Sequence, residues 1–322
     1  MTSRSVTLHA LAPGVALALA IGTLAAMYVG VVDGVAQPVR TLLRPLREPH
    51  MVDVYLNPIL WLMFAAIPLF EYCVPTKADQ PIVSVGLLQD ALYFVVSTVF
   101  RIAVLSFYVA LLKALYERHL DFLTLPSLAA QPFAVRATLM IVFTDFVAWL
   151  HHYVRHRVNT LWQFHAVHHS QRQMNLFTDV RVHPVDRVVS QTIQLIPLMM
   201  LEPSLPTLVT YTLFHQWYTK LYHANIRSNF GLLRYVLVTP QSHRVHHSYD
   251  PRHFNKNFGV IFSCWDRLFG TQYPRYDEYP DTGVPDPAFP YEAERRISRL
   301  LVSTVAQLIY PFRVVFGSTP MR

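Results

Sequence analysis

Three short stretches place imidazoles where they could share metal ions. HYVRH (152–156) sets His152 and His156 four residues apart. HAVHH (165–169) carries His165, His168 and His169, and HRVHH (243–247) repeats that spacing with His243, His246 and His247. On a helix, residues four apart share a face and the residue three along lies beside them. Each stretch can therefore aim two or three imidazoles at one point. Neutral imidazole suits iron, zinc, copper and nickel. Eight such groups over-supply one ion and divide naturally into about four for each of two metals. An isolated histidine is usually a core or surface residue, but three clusters repeating ligand spacing make that reading poor. His151 points about 100° away from His152 on an ideal helix, so it reads as a bystander unless it pairs with His156. Of the 16 histidines in the chain, most fall between His151 and His253, so the chemistry is expected in one region.

The remaining composition says what holds these groups. Of 322 residues, 52% are apolar and only 15% charged, against ~25% charged in ordinary soluble domains. That balance and the long uncharged runs predict a membrane protein. The net charge of +7 is not gathered into an aromatic-interleaved patch, so basic loops facing lipid headgroups explain it better than nucleic acid. Cys73 and Cys264 give no disulfide framework and read as small core residues.

Four spans are expected. Residues 10–32 carry no charge and reach the ~20 residues that cross a bilayer. Residues 54–70 form a second, proline-containing span, and residues 91–112 a third with Arg101 inside it. Residues 137–150 form a fourth that runs straight into the first histidine stretch. Four complete crossings would put the arginines after the first span and those of 151–187 on opposite sides, so one span is expected to be partial. Residues 188–218 are apolar but broken by Pro197, Pro203 and Pro206, which reads as two short helices that leave the membrane face and return. Residues 240–297 read as a polar cap, and 297–316 as an amphipathic interfacial tail. The predicted fold class is all-α: a multi-span membrane bundle with a His-rich soluble cap holding a di-metal centre. The expected divisions are an N-terminal transmembrane region (1–136), a histidine-box domain (137–275) and a polar segment with its tail (276–322). The three boxes are expected to converge, with neighbouring imidazoles within about 7 Å and an apolar slot opening toward the bilayer.

The boxes HX3H, HX2HH and HX2HH resemble those of the fatty acid hydroxylase / sterol desaturase superfamily of membrane oxygenases. Asp145 stands seven residues before His152, as in that family's first box. RVHP (181–184), HAN (223–225), TPQSHRVHHS (239–248) and NFGVIFSCWDRLFGT (257–271) are similar to family text, so the likeness covers about 137–271. Tyr153 departs from the arginine that many members carry after the first-box histidine. The resemblance implies two iron ions (zinc by exchange during purification) on the cytosolic face of a multi-pass protein of a bacterial inner membrane or the endoplasmic reticulum. It implies O2-dependent hydroxylation or desaturation of a lipid C–H bond. No dinucleotide fingerprint is present, so electrons are expected from a separate cytochrome b5 or ferredoxin with its reductase. His223 and His183 are candidate additional ligands, and His215 a weaker one. Asp145 is expected to accept a hydrogen bond from an imidazole N–H, and Asn225 to hold a water on a metal or cap a helix. Trp265, Asp266 and Arg267 are expected to hold the fold. The competing readings are a zinc-dependent membrane hydrolase, which lacks its HExxH here, and a metal transporter, whose ligands would lie inside the spans.

Overall fold

The computed structural model describes residues 58–125, 131, 133–203 and 205–317, so the span expected at 10–32 lies outside the described residues. Ten α-helices follow one another in the described chain: α1 Pro58–Cys73, α2 Val85–Phe100, α3 Ser106–His119, α4 Phe133–Arg157, α5 Asn159–His169, α6 Pro184–Leu201, α7 Leu205–His223, α8 Pro240–His246, α9 Cys264–Leu268 and α10 Ile297–Phe316. Arg101–Leu105 joins α2 to α3 as a π-helical turn, so Arg101 opens a break in the expected third span. Among the described residues there is no strand, only isolated bridges such as Leu237 with Phe262.

The expected four-span bundle is only partly realised. Among the described residues, two helical stretches are long and apolar enough to cross a membrane: Val85–Leu105 and Ile297–Phe316. The apolar part of α4 stops at Leu150, where the histidines begin, short of the ~20 residues a bilayer needs. The apolar run within α1 is shorter still.

α10, the helix expected as an amphipathic tail, packs against both α2 and α5. Its polar stripe faces inward. The Tyr93 hydroxyl donates to Gln307 Oε1 at 3.0 Å, the Ser303 hydroxyl donates to Gln89 Oε1 at 2.8 Å, and Gln89 Nε2 donates to Thr304. The outward faces are apolar: Leu301, Val302 and Val305 on α10, and Val95 and Val99 on α2, are exposed. A helix on a soluble surface has the reverse pattern. Polar-in, apolar-out is what helices facing hydrocarbon need.

The apolar hairpin also differs in detail. α6 runs through Pro197 and ends at Glu202, whose backbone is left-handed (φ 41°). The chain therefore turns at Glu202, ahead of α7. α4 packs along both α5 and α6, and α7 against α8. These contacts bring the three histidine stretches together. Both cysteines are exposed, contrary to the core placement expected for them.

Candidate metal centre

Each box starts from a local feature of its sequence. In α8, Thr239 and Ser242 form a reciprocal capping box: the Thr239 hydroxyl accepts from Ser242 N–H at 3.0 Å, and the Ser242 hydroxyl accepts from Thr239 N–H at 2.9 Å. Pro240 fills the first helical position, where no N–H is needed. This helix of 7 residues exists only long enough to carry His243 and His246 and to end at His247. α5 ends on His168 and His169, with Ser170 as its C-cap. His152 and His156 lie in the last turns of α4, beyond its apolar part.

The boxes converge into two groups. His152, His156, His165, His169 and His246 form one, and His168, His223, His243 and His247 the other. Within each group one nitrogen per ring lies within 4.8 Å of the rest. The groups adjoin: the rings of His169 and His247 stack with centroids 4.3 Å apart. All nine rings are buried except His156, which is half-buried. Of the two extra histidines suggested by the sequence, the structure brings His223 in and leaves His183 out.

The hydrogen bonds fix which nitrogens are free. A carbonyl only accepts, so an Nδ1 facing one must carry the proton, leaving Nε2 with its lone pair. His152 Nδ1–H donates to the Phe258 carbonyl at 3.0 Å, His246 to Lys256 at 2.8 Å, His168 to Arg181 at 3.3 Å and His223 to Thr219 at 2.7 Å. Yet His246 Nε2 lies 2.9 Å from His152 Nε2, and His223 Nε2 lies 3.2 Å from His168 Nε2. Two lone pairs at that distance repel unless a cation lies between them. Nitrogens 2.8–3.2 Å apart are close enough for one ion, bound at ~2.1 Å from each, to lie between them. The donor set therefore fits two metal ions.

Burial reinforces this. It is the largest cause holding the His165, His168, His169, His243 and His247 imidazoles well below their ordinary pKa. For His165 the Arg155 guanidinium adds to it, and for the others neighbouring imidazoles do. His246 is brought down to about 3, again chiefly by burial. The rings are neutral and ready to ligate.

The carboxylate beside the ligands is not the one expected. Asp145 is buried, but it accepts from Ile261 N–H at 2.7 Å, Phe262 N–H at 3.1 Å and Trp265 Nε1–H at 2.9 Å. It pins the 261–265 segment to α4 and touches no imidazole. Asp266 does similar work, accepting from Trp149 and from the Phe258 and Gly259 amides, which agrees with a fold-holding role for this segment. The carboxylate that faces an imidazole is Asp186, 3.0 Å from His165 Nδ1 and also paired with Arg155 at 3.0 Å. Its place in the first turn of α6, two residues after Pro184, was the available signal. Asn225 closes a loop with the Lys77 backbone (its Oδ1 accepts at 3.0 Å, its Nδ2 donates at 3.1 Å) and faces neither group.

His183 caps α6. Its Nδ1 accepts from Val185 N–H at 3.0 Å and its Nε2–H donates to the Leu308 carbonyl at 2.9 Å. Both nitrogens are used, so no lone pair remains for a metal. His215 lies against Tyr211, and His151 is buried with neither nitrogen bonded; neither joins a group. Arg181 is a further residue that sequence reading passed over. Its carbonyl holds His168, while its fully buried guanidinium pairs with Asp90 at 2.6 Å and with Glu292 at 2.9 Å. One residue thus ties the site to α2 and to the segment that leads into α10.

Residues 137–271 match the fatty acid hydroxylase family. The alkylglycerol monooxygenase of Danio rerio is 36% identical over 130 residues, covering 40% of this chain and 28% of that protein. The ornithine lipid hydroxylase of Rhizobium tropici is 31% identical over 140 residues, 44% of this chain and 42% of that one. The Delta(7)-sterol 5(6)-desaturase of Eremothecium gossypii is 30% identical over 139 residues, 43% and 37% of the two. The chain thus spans less than half the length of these relatives. No solved structure matches it.

Proposed function

Taking residues 137–271 as a fatty acid hydroxylase domain, we propose that this protein is a membrane oxygenase that uses O2 to oxidise a C–H bond of a lipid at a histidine-held pair of iron ions. One oxygen atom enters the bond and the other becomes water, or one hydrogen leaves each of two adjacent carbons as a double bond forms and both oxygen atoms become water. Either course draws an electron pair and protons from outside. The observation that carries the reading is the pair of adjacent buried imidazole groups with facing lone pairs, in a domain whose relatives bear the names of lipid oxygenases and desaturases.

When bound, the two irons supply O2 activation, which zinc does not. The chain supplies the rest. His152, His156, His165, His169 and His246 would hold one ion, and His168, His223, His243 and His247 the other. The backbone carbonyls of Phe258, Lys256, Arg181 and Thr219 keep four of these rings in the tautomer that ligates. Asp186 does so for His165 and makes that imidazole more electron-rich. The Phe258 ring packs against His152, His156 and His246 at 5.1–5.8 Å, and Trp162 covers His156 and His169. These apolar walls keep bulk water from one side of the first group. The outward apolar faces of α2 and α10 support embedding in a bilayer, where an apolar substrate dissolves. Electrons come from a separate donor of the cytochrome b5 or ferredoxin type with its reductase. Against a hydrolase or a transporter stands the donor set itself: nine imidazoles in two groups exceed the three ligands and open position of a hydrolytic zinc, and those of the first box lie past the apolar part of α4.

Lipid mass spectrometry of cells with and without the gene tests the reading. A product heavier by one oxygen means hydroxylation, and one lighter by two hydrogens means desaturation. An unchanged lipid profile, with metal-loaded protein and a competent electron donor present, overturns it.

A further inference from the structure

An open cleft of about 380 Å³ runs beside the first histidine group, and nothing in the di-metal reading uses it. Phe146, Trp149, Leu150 and Tyr153 of α4 form one wall, and Phe269 with Gly270 and Thr271 the other. Arg157 and Lys256 also line it. α4 orders the first wall: its aromatic part continues the apolar face, and Arg157 follows one turn beyond Tyr153. No acidic side chain lines the cleft. Arg157 makes a single contact, over the Tyr153 ring at 5.2 Å, and neither it nor Lys256 has an anionic partner among the described residues. Asp266 beneath the floor is occupied by Trp149, Thr271 and two amides.

The surroundings indicate a lipid source. Leu268 and Phe269 are exposed, 70% and 50%. Next to them the 231–236 turn is fastened by Arg267, which donates to the Arg234 carbonyl at 2.9 Å, and it presents Leu232, Leu233 and Val236, also exposed. A contiguous apolar patch of this kind marks a surface that meets membrane or ligand. The cleft thus has an apolar rim, an aromatic middle and two uncompensated cations.

Resting on the oxygenase reading above, we infer that this cleft takes the anionic headgroup and first chain segment of a bilayer lipid, with Arg157 and Lys256 on the charged group and Phe146, Trp149 and Phe269 along the chain. The wall between cleft and metal ligands is one short segment. Lys256 lines the cleft while its carbonyl holds His246, and the Phe258 carbonyl holds His152. Asn255 and Asn257 on either side of Lys256 both have left-handed backbones (φ 57° and 58°), a conformation that asparagine tolerates better than most residues. The Asn257 side chain locks its bend through Ser242, Gln272 and Tyr273. A lipid in the cleft therefore sits against the same segment that orients two ligands of the first group.

The test is lipid retention by the full chain, read by native mass spectrometry from neutral-detergent micelles containing equal amounts of phosphatidylglycerol and phosphatidylcholine. Wild type is expected to keep one phosphatidylglycerol with a preference on the order of tenfold. Arg157→Gln/Lys256→Gln should erase that preference, whereas Arg295→Gln/Arg299→Gln, the same charge change elsewhere, should preserve it. Phe269→Ser, which removes the apolar chain wall and adds no charge beside the cations, should also lower retention. Excess inorganic phosphate should not displace the lipid. Equal retention of the two lipids, equal losses in both double variants, or displacement by inorganic phosphate alone would overturn the inference. Retention is read without turnover. No lipid retained by wild type that still turns over sinks this inference alone, and absent turnover in wild type that retains the lipid sinks the oxygenase reading alone.

Discussion

The two histidine groups are neighbours built to different standards. The first has five rings, drawn from α4, α5 and α8, and three of them are held at Nδ1: His152 and His246 by carbonyls and His165 by the Asp186 carboxylate. The second has four rings. His168 and His223 are held by carbonyls, but the Nδ1 atoms of His243 and His247 are buried with no partner. One of its four members, His223, comes from outside the boxes. The first group has ligands to spare and a charged anchor, whereas the second has neither. Its ion is therefore the one that the chain should surrender first.

The sharpest break of this comparison is His223→Ala. It leaves three ligands in the second group, so metal content should fall from two ions per chain to one, and turnover to no more than a few per cent of wild type. Elemental analysis of freshly isolated protein reads the count. His156→Ala removes one of five ligands instead and should leave the count near two. If His156→Ala empties its group as readily as His223→Ala does, the asymmetry is wrong. Wild type dialysed against a chelator should lose metal in two phases of equal size. In His223→Ala only the slower phase should remain.

A smaller effect is expected from Asp186→Asn, which keeps the shape and removes the charge. Partners of this kind are typically worth 10–100-fold in metal affinity, so the slower chelation phase should quicken toward the faster one. Arg155 would also lose its ion-pair partner, and breaking a buried pair destabilises in its own right. The chelation rate separates the two consequences, because a fold defect would speed both phases alike. Both phases accelerating equally would assign Asp186 to the scaffold.

The same contrast explains what the sequence made legible. The eight box histidines stood out because helical spacing is local: four residues apart means one face, whatever the rest of the chain does. The partners of those rings were hidden, because backbone carbonyls have no letter in the sequence. Asp145 drew attention inside an apolar run, yet its bonds go to residues more than a hundred positions away, and nothing local distinguishes those from a bond to an imidazole. The partners of α10 were hidden for a different reason. Its polar stripe has the period of a surface helix, and a soluble protein would turn that stripe to water. Here it meets Gln89 and Tyr93 of α2, and the apolar side faces out.

The smallest expected effect separates a histidine whose sequence context suits a ligand from one that the structure brings into a group. His183 precedes Pro184 and lies between the second and third boxes, so its sequence context suits a ligand as well as that of His223 does. In the structure its two nitrogens are spent on the Val185 amide and the Leu308 carbonyl, at the junction of α6 and α10. His183→Ala should therefore leave two metals per chain and cost stability alone, about 1–2 kcal/mol for the lost cap and one further hydrogen bond. His183→Asn restores an acceptor at the cap position and should recover about half of that loss. Elemental analysis measures the first quantity and thermal unfolding of the metal-loaded protein the second. A count of one metal in both variants would place His183 among the ligands and undo the division between the groups, since the second would then have a fifth member.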